Sequence, residues 1–188
     1  MGTVNGLPAH ILLVHAIVVL LPLAALLLVM TAIWPTARRR FAGPNAILSA
    51  FVLVLVPLTT GAGEWLERRV ADTALVRQHT ELGDTAILAA LPVALLALVI
   101  WWRQREATAP AETSATGSSP GTTTKRRRIY LAPQSTTATR IVMVLAIVIA
   151  GFAVFDIYRI GDSGAKAAWT DNFSSTPVQN GSGRPDGN

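Results

Sequence analysis

The chain has 188 residues, of which 51% are apolar and 14% charged, with a net charge of +5 and a mean hydropathy of +0.44. A soluble domain carries about 25% charged residues, so this composition excludes an ordinary soluble globule, and its apolar content excludes wholesale disorder. With no cysteine, the chain offers no disulfide, zinc–thiolate or iron–sulfur centre, no thiol nucleophile and no CxxCH haem attachment.

Crossing a hydrocarbon layer about 30 Å thick takes roughly 20 apolar residues in a helix. Four segments meet that length, and the expected spans are 10–33, 46–66, 82–102 and 139–162. None carries the polar stripe of a soluble core helix, and a helix satisfies its own backbone in lipid. Residues 1–9 precede the first span without a Lys or Arg, and the apolar run outlasts the h-region of a signal peptide, so the segment reads as a retained span. The short connection 34–45 predicts antiparallel neighbours. Pro22, Pro57 and Pro92 fall inside spans, where each removes a backbone donor and predicts a packing kink. Residues 103–138 read as a flexible basic linker, rich in Thr, Ser, Ala, Pro and Gly over 107–124 and closed by Lys125-Arg126-Arg127-Arg128. Residues 163–188 read as a disordered tail. The fold class is therefore an all-α integral membrane protein of four transmembrane helices.

Basic residues set its orientation. Arg38 to Arg40 together with Arg103, Arg105, Lys125 to Arg128 and Arg140 make ten on one side, against six on the other (Arg68, Arg69, Arg77, Arg159, Lys166 and Arg184). The richer side is expected to be cytoplasmic, giving an up-down-up-down bundle with both termini extracytoplasmic. Fourteen Arg against two Lys, with abundant Ala, suggest a GC-rich bacterial source, and hence the plasma (inner) membrane. Trp34, Trp65, Trp101, Trp102 and Trp169 stand at span ends, as interfacial rings should. The pI near 10.7 reflects clusters flanking spans rather than a basic stripe for nucleic acid, so the expected partners are the lipid bilayer and other membrane subunits or further copies of the chain. The Lys125–Arg128 run also suits anionic headgroups.

The polar residues gather at one membrane face. His10 and His15 lie at the outer end of the first span, Glu64 and Glu67 close the second, and His79, Glu81 and Asp84 stand before the third. Asp156, Arg159 and Asp162 mark the outer end of the fourth. Ionisable groups near hydrocarbon are costly, which makes this face the candidate site. Five residues rotate a helical side chain by about 140°, so His10 and His15 face different ways. His15, deeper in the span, is expected to meet Glu64, His79 and Asp156 from other helices, while Asp156 and Arg159 are spaced to neutralise each other. The expected ligand set is His15, His79, Glu64 and His10, with His15 and His79 as metal ligands. Asp84, Asp156, Asp162, Gly61 and Gly63 stand around it.

Three stretches carry a resemblance: Gly6-Leu7-Pro8-Ala9-His10-(x)4-His15, then Thr60-Gly61-Ala62-Gly63-Glu64-Trp65, then His79-(x)2-Leu82-Gly83-Asp84. With Arg159-Ile160-Gly161-Asp162-Ser163-Gly164-Ala165, they resemble, in order over about residues 6–169, the bacterial membrane-protein family catalogued as domain of unknown function 2231. The resemblance implies a four-helix membrane domain, and its histidine placement is similar to that of membrane b-type cytochromes. It thereby implies haem b, with Asp162 standing where the closing motif would carry a histidine. Haem b needs imidazoles aimed from facing helices at a flat apolar slot. His15 and His79 are the candidates, with Gly61 and Gly63 leaving room for the macrocycle and Arg68, Arg69 or Arg77 meeting its propionates.

Three other readings stay open: a non-haem metal site, a short proton relay, and a structural or accessory subunit whose polar cluster locks helix packing. There is no GxSxG nucleophile elbow, since the Gly117-Ser118-Ser119-Pro120-Gly121 match falls in the low-complexity linker, and no HExxH, Walker or GxGxxG motif occurs; the sequence leaves open whether the chain is an enzyme.

Overall fold

In the computed structural model, residues 2–108 and 135–170 are described. The chain opens with a two-stranded hairpin, β1 (Thr3–Val4) and β2 (Leu7–Pro8). Asn5 (φ 50°) and Gly6 (φ 79°) make its turn. Both central residues have positive φ, as the two-residue turn that matches strand twist demands, and Asn-Gly is the pair that tolerates it best. Helix α1 (Ala9–Ile33) follows directly, and α2 (Pro35–Glu67) begins after the single residue Trp34. Then come the short α3 (Ala74–Gly83), α4 (Ala86–Thr108) and α5 (Thr136–Trp169). Among the described residues, four helical segments are long and apolar enough to cross a membrane: Ala9–Ile33, Pro35–Glu67, Ala74–Thr108 and Thr136–Trp169.

Several boundaries differ from the expectation. The connection 34–45 is not a loop, because α2 starts with Pro35 in its first turn, where the missing N–H and fixed φ suit a helix start. Three arginines, Gly43 and Pro44 mimic a loop in sequence. The guanidinium of Arg38 donates instead to the carbonyls of Thr31 (2.8 Å) and Ala32 (2.6 Å), satisfying acceptors that the end of α1 leaves over. Residues 74–83 form the separate α3, capped by Thr73, whose hydroxyl accepts from the Val76 amide at 3.2 Å. The last helix runs seven residues beyond 162, so 163–169 are helical rather than tail. Residues 109–134, most of the expected linker with its Lys125–Arg128 run, and residues 171–188 lie outside the described residues. The long helices continue through Pro22, Pro57 and Pro92.

The four long helices form a closed square. Helix α1 packs on α2 and α5, α4 packs on the same two, and α1 and α4 face each other across the diagonal. Sixteen of the twenty-six buried apolar residues are alanine, whereas the large apolar side chains point outward: Val19 is 64% exposed, Ile47 74% and Val148 62%. Without water to drive helices together, small residues at the contacts let backbones approach and gain dispersion energy. The large residues form an apolar outer surface of the kind that suits lipid.

Two polar residues sit at mid-depth on α2. Asn45 is fully buried, donating from its amide nitrogen to Ala24 O and accepting at its oxygen from the Leu28 amide, both at 3.2 Å. Its orientation is assigned by these partners. Ser49, one turn on and equally buried, has no partner for its hydroxyl among the described residues.

Candidate functional site

His10, Thr59, His79, Thr85, Asp156 and Ser163 meet at one end of the bundle. His10, in the first turn of α1, donates from Nδ1 to the carbonyl oxygen of Thr59 on α2 at 3.0 Å. Thr59 is buried, and its hydroxyl donates to Leu55 O at 2.8 Å. Beneath the ring lies Gly63: a Cβ there would stand 3.0 Å from His10 Cε1. The glycine is the notch that admits the imidazole.

His79 repeats this arrangement on the other side. Helix α3 lies against the end of α5 and brings His79 Nδ1 to 3.0 Å from Ser163 Oγ. Ser163 is buried, and its one hydroxyl proton goes to Ile160 O at 2.9 Å, so its oxygen accepts from Nδ1–H. Gly164 makes the notch here, with a Cβ falling 2.9 Å from His79 Cε1. The two rings then stand edge to face, with centroids 6.3 Å apart and planes at 74°. Since each Nδ1 carries the proton, each Nε2 keeps its lone pair. Neither Nε2 has a hydrogen-bond partner among the described residues.

The third polar contact closes the same end. Asp156 on α5 is 2% exposed, and the Thr85 hydroxyl lies 3.1 and 3.2 Å from its two carboxyl oxygens. Thr85 Oγ1 also lies 2.7 Å from Leu82 O, which ties α5 to the joint between α3 and α4.

The expected ligand set is redistributed. His15 is exposed and turned back on its own helix, donating from Nδ1 to Ile11 O at 2.6 Å. His10, not His15, is the partner of His79, because the rotation between them sends His15 away from the bundle interior. Glu64 and Asp84 are exposed, and Asp84 caps α3. Asp162 pairs with Lys166 at 2.7 Å across one turn of α5. Asp156 turns to Thr85 instead of Arg159, whose guanidinium stands 5.8 Å above the Phe155 ring. Gly61 has nothing within 4 Å of its Cβ direction, so of the two glycines on α2 only Gly63 touches an imidazole. Arg69 lies 3.7 Å over Trp65 and Arg77 pairs with Asp72 at 2.9 Å, leaving Arg68 with no such engagement. Thr59 and Thr85 carry the geometry without having stood out in sequence, whereas Ser163 and Gly164 stood in the closing motif with no role expected of them. The signal was present in the Ser163-Gly164 step, where a hydroxyl beside a glycine one helix away marks a place for a ring.

Among the described residues no three His, Asp or Glu side chains converge as a metal would require of a full protein ligand set. The site is thus a pair. The 6.3 Å between ring centres is close to the roughly 6 Å of two imidazoles bound through nitrogen to one ion, but in the edge-to-face arrangement one ring must turn before both Nε2 lone pairs meet at a point. A porphyrin has no open slot between the rings, because both already fill their glycine notches.

Searches of family models, of curated proteins and of solved structures find no match to this chain.

Proposed function

We propose that this chain is a multi-pass protein of the bacterial plasma membrane, an up-down-up-down bundle with both termini outside. On this reading it holds a single copper(I) ion between His10 and His79 at the outer face. The asymmetry of basic residues supports the orientation, and the four motifs in order support kinship with the family catalogued as domain of unknown function 2231.

The observation that carries the site is the matched pair of Nδ1 hydrogen bonds, to Thr59 O and Ser163 Oγ. Such bonds fix the tautomer and make the other nitrogen a better ligand. Zinc asks for four ligands and copper(II) or nickel(II) for a tetragonal set. A monovalent d10 ion accepts a low coordination number, so copper(I) is the metal that asks least of two imidazoles with no third donor. The chain's own contribution is to hold the rings, exclude competing ligands and keep the pair accessible at the membrane face.

The test is a titration of the full chain in detergent with copper(I) under reductant. One ion per chain is expected, lost in His10→Ala and in His79→Ala and kept in His15→Ala. Retention by either of the first two variants overturns the site. A Soret band on adding haem, abolished by His79→Ala, would replace the bare ion by haem b. A second reading rests on the same contacts: each joins a different pair of helices, which suits a polar lock in a structural or accessory subunit. It wins if the two variants lose thermal stability while the wild-type chain takes up no metal.

A further inference from the structure

The end of the bundle remote from the histidines holds a different arrangement. We propose that the cleft between the α1–α2 junction and the end of α4 binds the phosphodiester headgroup of an anionic phospholipid through Arg38, Arg39 and Arg103. A cavity of about 270 Å³ opens there, lined by Pro35, Arg38, Arg39, Gln104, Ala107 and Thr108. The cleft has room for a phosphate group. A second, narrower cleft shares Arg38 and is lined by Ile100, Arg103, Thr139 and Val142, which puts Arg103 of α4 beside Arg38 though not in the wall of the larger one.

The guanidinium of Arg38 is held in place before any ligand arrives. Two of its five donors are spent on Thr31 O and Ala32 O, which leaves three for an anion. Neither Arg38, Arg39 nor Arg103 forms an ion pair among the described residues, where the two pairs are Arg77–Asp72 and Lys166–Asp162. Two neighbouring arginines are otherwise engaged, Arg40 over Phe41 at 5.7 Å and Arg105 over Trp101 at 5.1 Å. Like charges gathered here without an ion pair among the described residues call for an anion, and a phosphate matches the guanidinium fork.

The source is lipid because of where the cavity lies. Its wall at Pro35 follows directly on Ile33 and Trp34, both exposed, and the outward residues Val19, Leu23, Leu26 and Ile33 of α1 lead to it at helical spacing. Acyl chains have an apolar face to lie along, and Trp34 marks headgroup depth. Basic pockets between spans are recognised headgroup sites.

Native mass spectrometry of the full chain in detergent tests this with three probes: phosphatidylglycerol, phosphatidylcholine and inorganic phosphate. Phosphatidylglycerol is expected to stay bound and phosphatidylcholine to leave. Affinity should fall about fivefold per arginine, or roughly 25-fold in Arg39→Gln/Arg103→Gln, which spares the Arg38 cap. Arg40→Gln/Arg105→Gln removes the same charge away from the cavity and should bind as the wild type does. Equal retention of both lipids overturns the proposal, as does equal loss in the two double variants. Complete displacement of phosphatidylglycerol by millimolar inorganic phosphate assigns the site to free phosphate and overturns the lipid.

Discussion

The ring of His10 meets that of His79 edge to face, 6.3 Å centre to centre, although one begins α1 and the other rides on the short α3. Each is seated over a glycine of a third helix, Gly63 of α2 and Gly164 of α5. The pair therefore reports on the packing of four elements at once.

Those glycines make the first prediction. Gly63→Ala and Gly164→Ala each put a methyl about 3 Å from a ring atom, which must push the imidazole or part the helices. Each should cost about 1–3 kcal/mol and weaken ion binding. Gly61→Ala meets nothing within 4 Å and gains helix propensity, so it should be neutral or more stable by up to about 1 kcal/mol. Thermal midpoints in detergent compare the three.

Asp156 and Thr85 should be energetically coupled. Asp156→Ala and Thr85→Ala each break the contact between α5 and the α3–α4 joint, and a double-mutant cycle should return a coupling of about 0.6–2 kcal/mol. Independent effects would place the stabilisation elsewhere.

How much of this was legible in the sequence depends on range. Unbroken apolar runs locate all four spans because a bilayer imposes one length on every crossing helix. Boundaries failed where charge and proline imitate a loop: Arg38-Arg39-Arg40 and Pro44 belong to α2 because Arg38 serves the end of α1. The polar end of the bundle could be foreseen, since His10, His79 and Asp156 all lie at span termini. Which histidines meet could not, because pairing depends on the azimuth of each helix, and 140° of rotation separates His10 from His15. Of the acceptors, Thr59 O is a backbone atom that no side-chain pattern reveals, and Ser163 Oγ is a common hydroxyl that its place in the closing motif did not single out as a partner for a ring.

Asn45 and Ser49, one turn apart on α2, should respond oppositely. Asn45→Ala loses two hydrogen bonds to the α1 backbone and should cost about 1 kcal/mol. Ser49→Ala removes a buried hydroxyl that has no partner among the described residues, so stability should stay the same or rise by up to about 1 kcal/mol. Denaturant midpoints in mixed micelles measure both.

The absence of cysteine makes orientation directly measurable. Asp72→Cys, between α2 and α3, should react in intact cells with a membrane-impermeant maleimide, and Thr36→Cys, at the start of α2, should react only after lysis. The reverse pattern would invert the topology and move the histidine pair to the cytoplasm.

The alanine-filled interior changes which mutations do harm. A soluble protein is damaged most by deletions that hollow out its centre. Here the centre is already as narrow as side chains allow at positions such as Ala24, Ala89 and Ala153, each fully hidden. Trimming those sites has little left to remove, and one added methylene wedges two backbones apart. The bulky residues on the outside, by contrast, can be exchanged for one another freely, so the bundle can drift to suit bilayers of other thickness while its seams stay fixed.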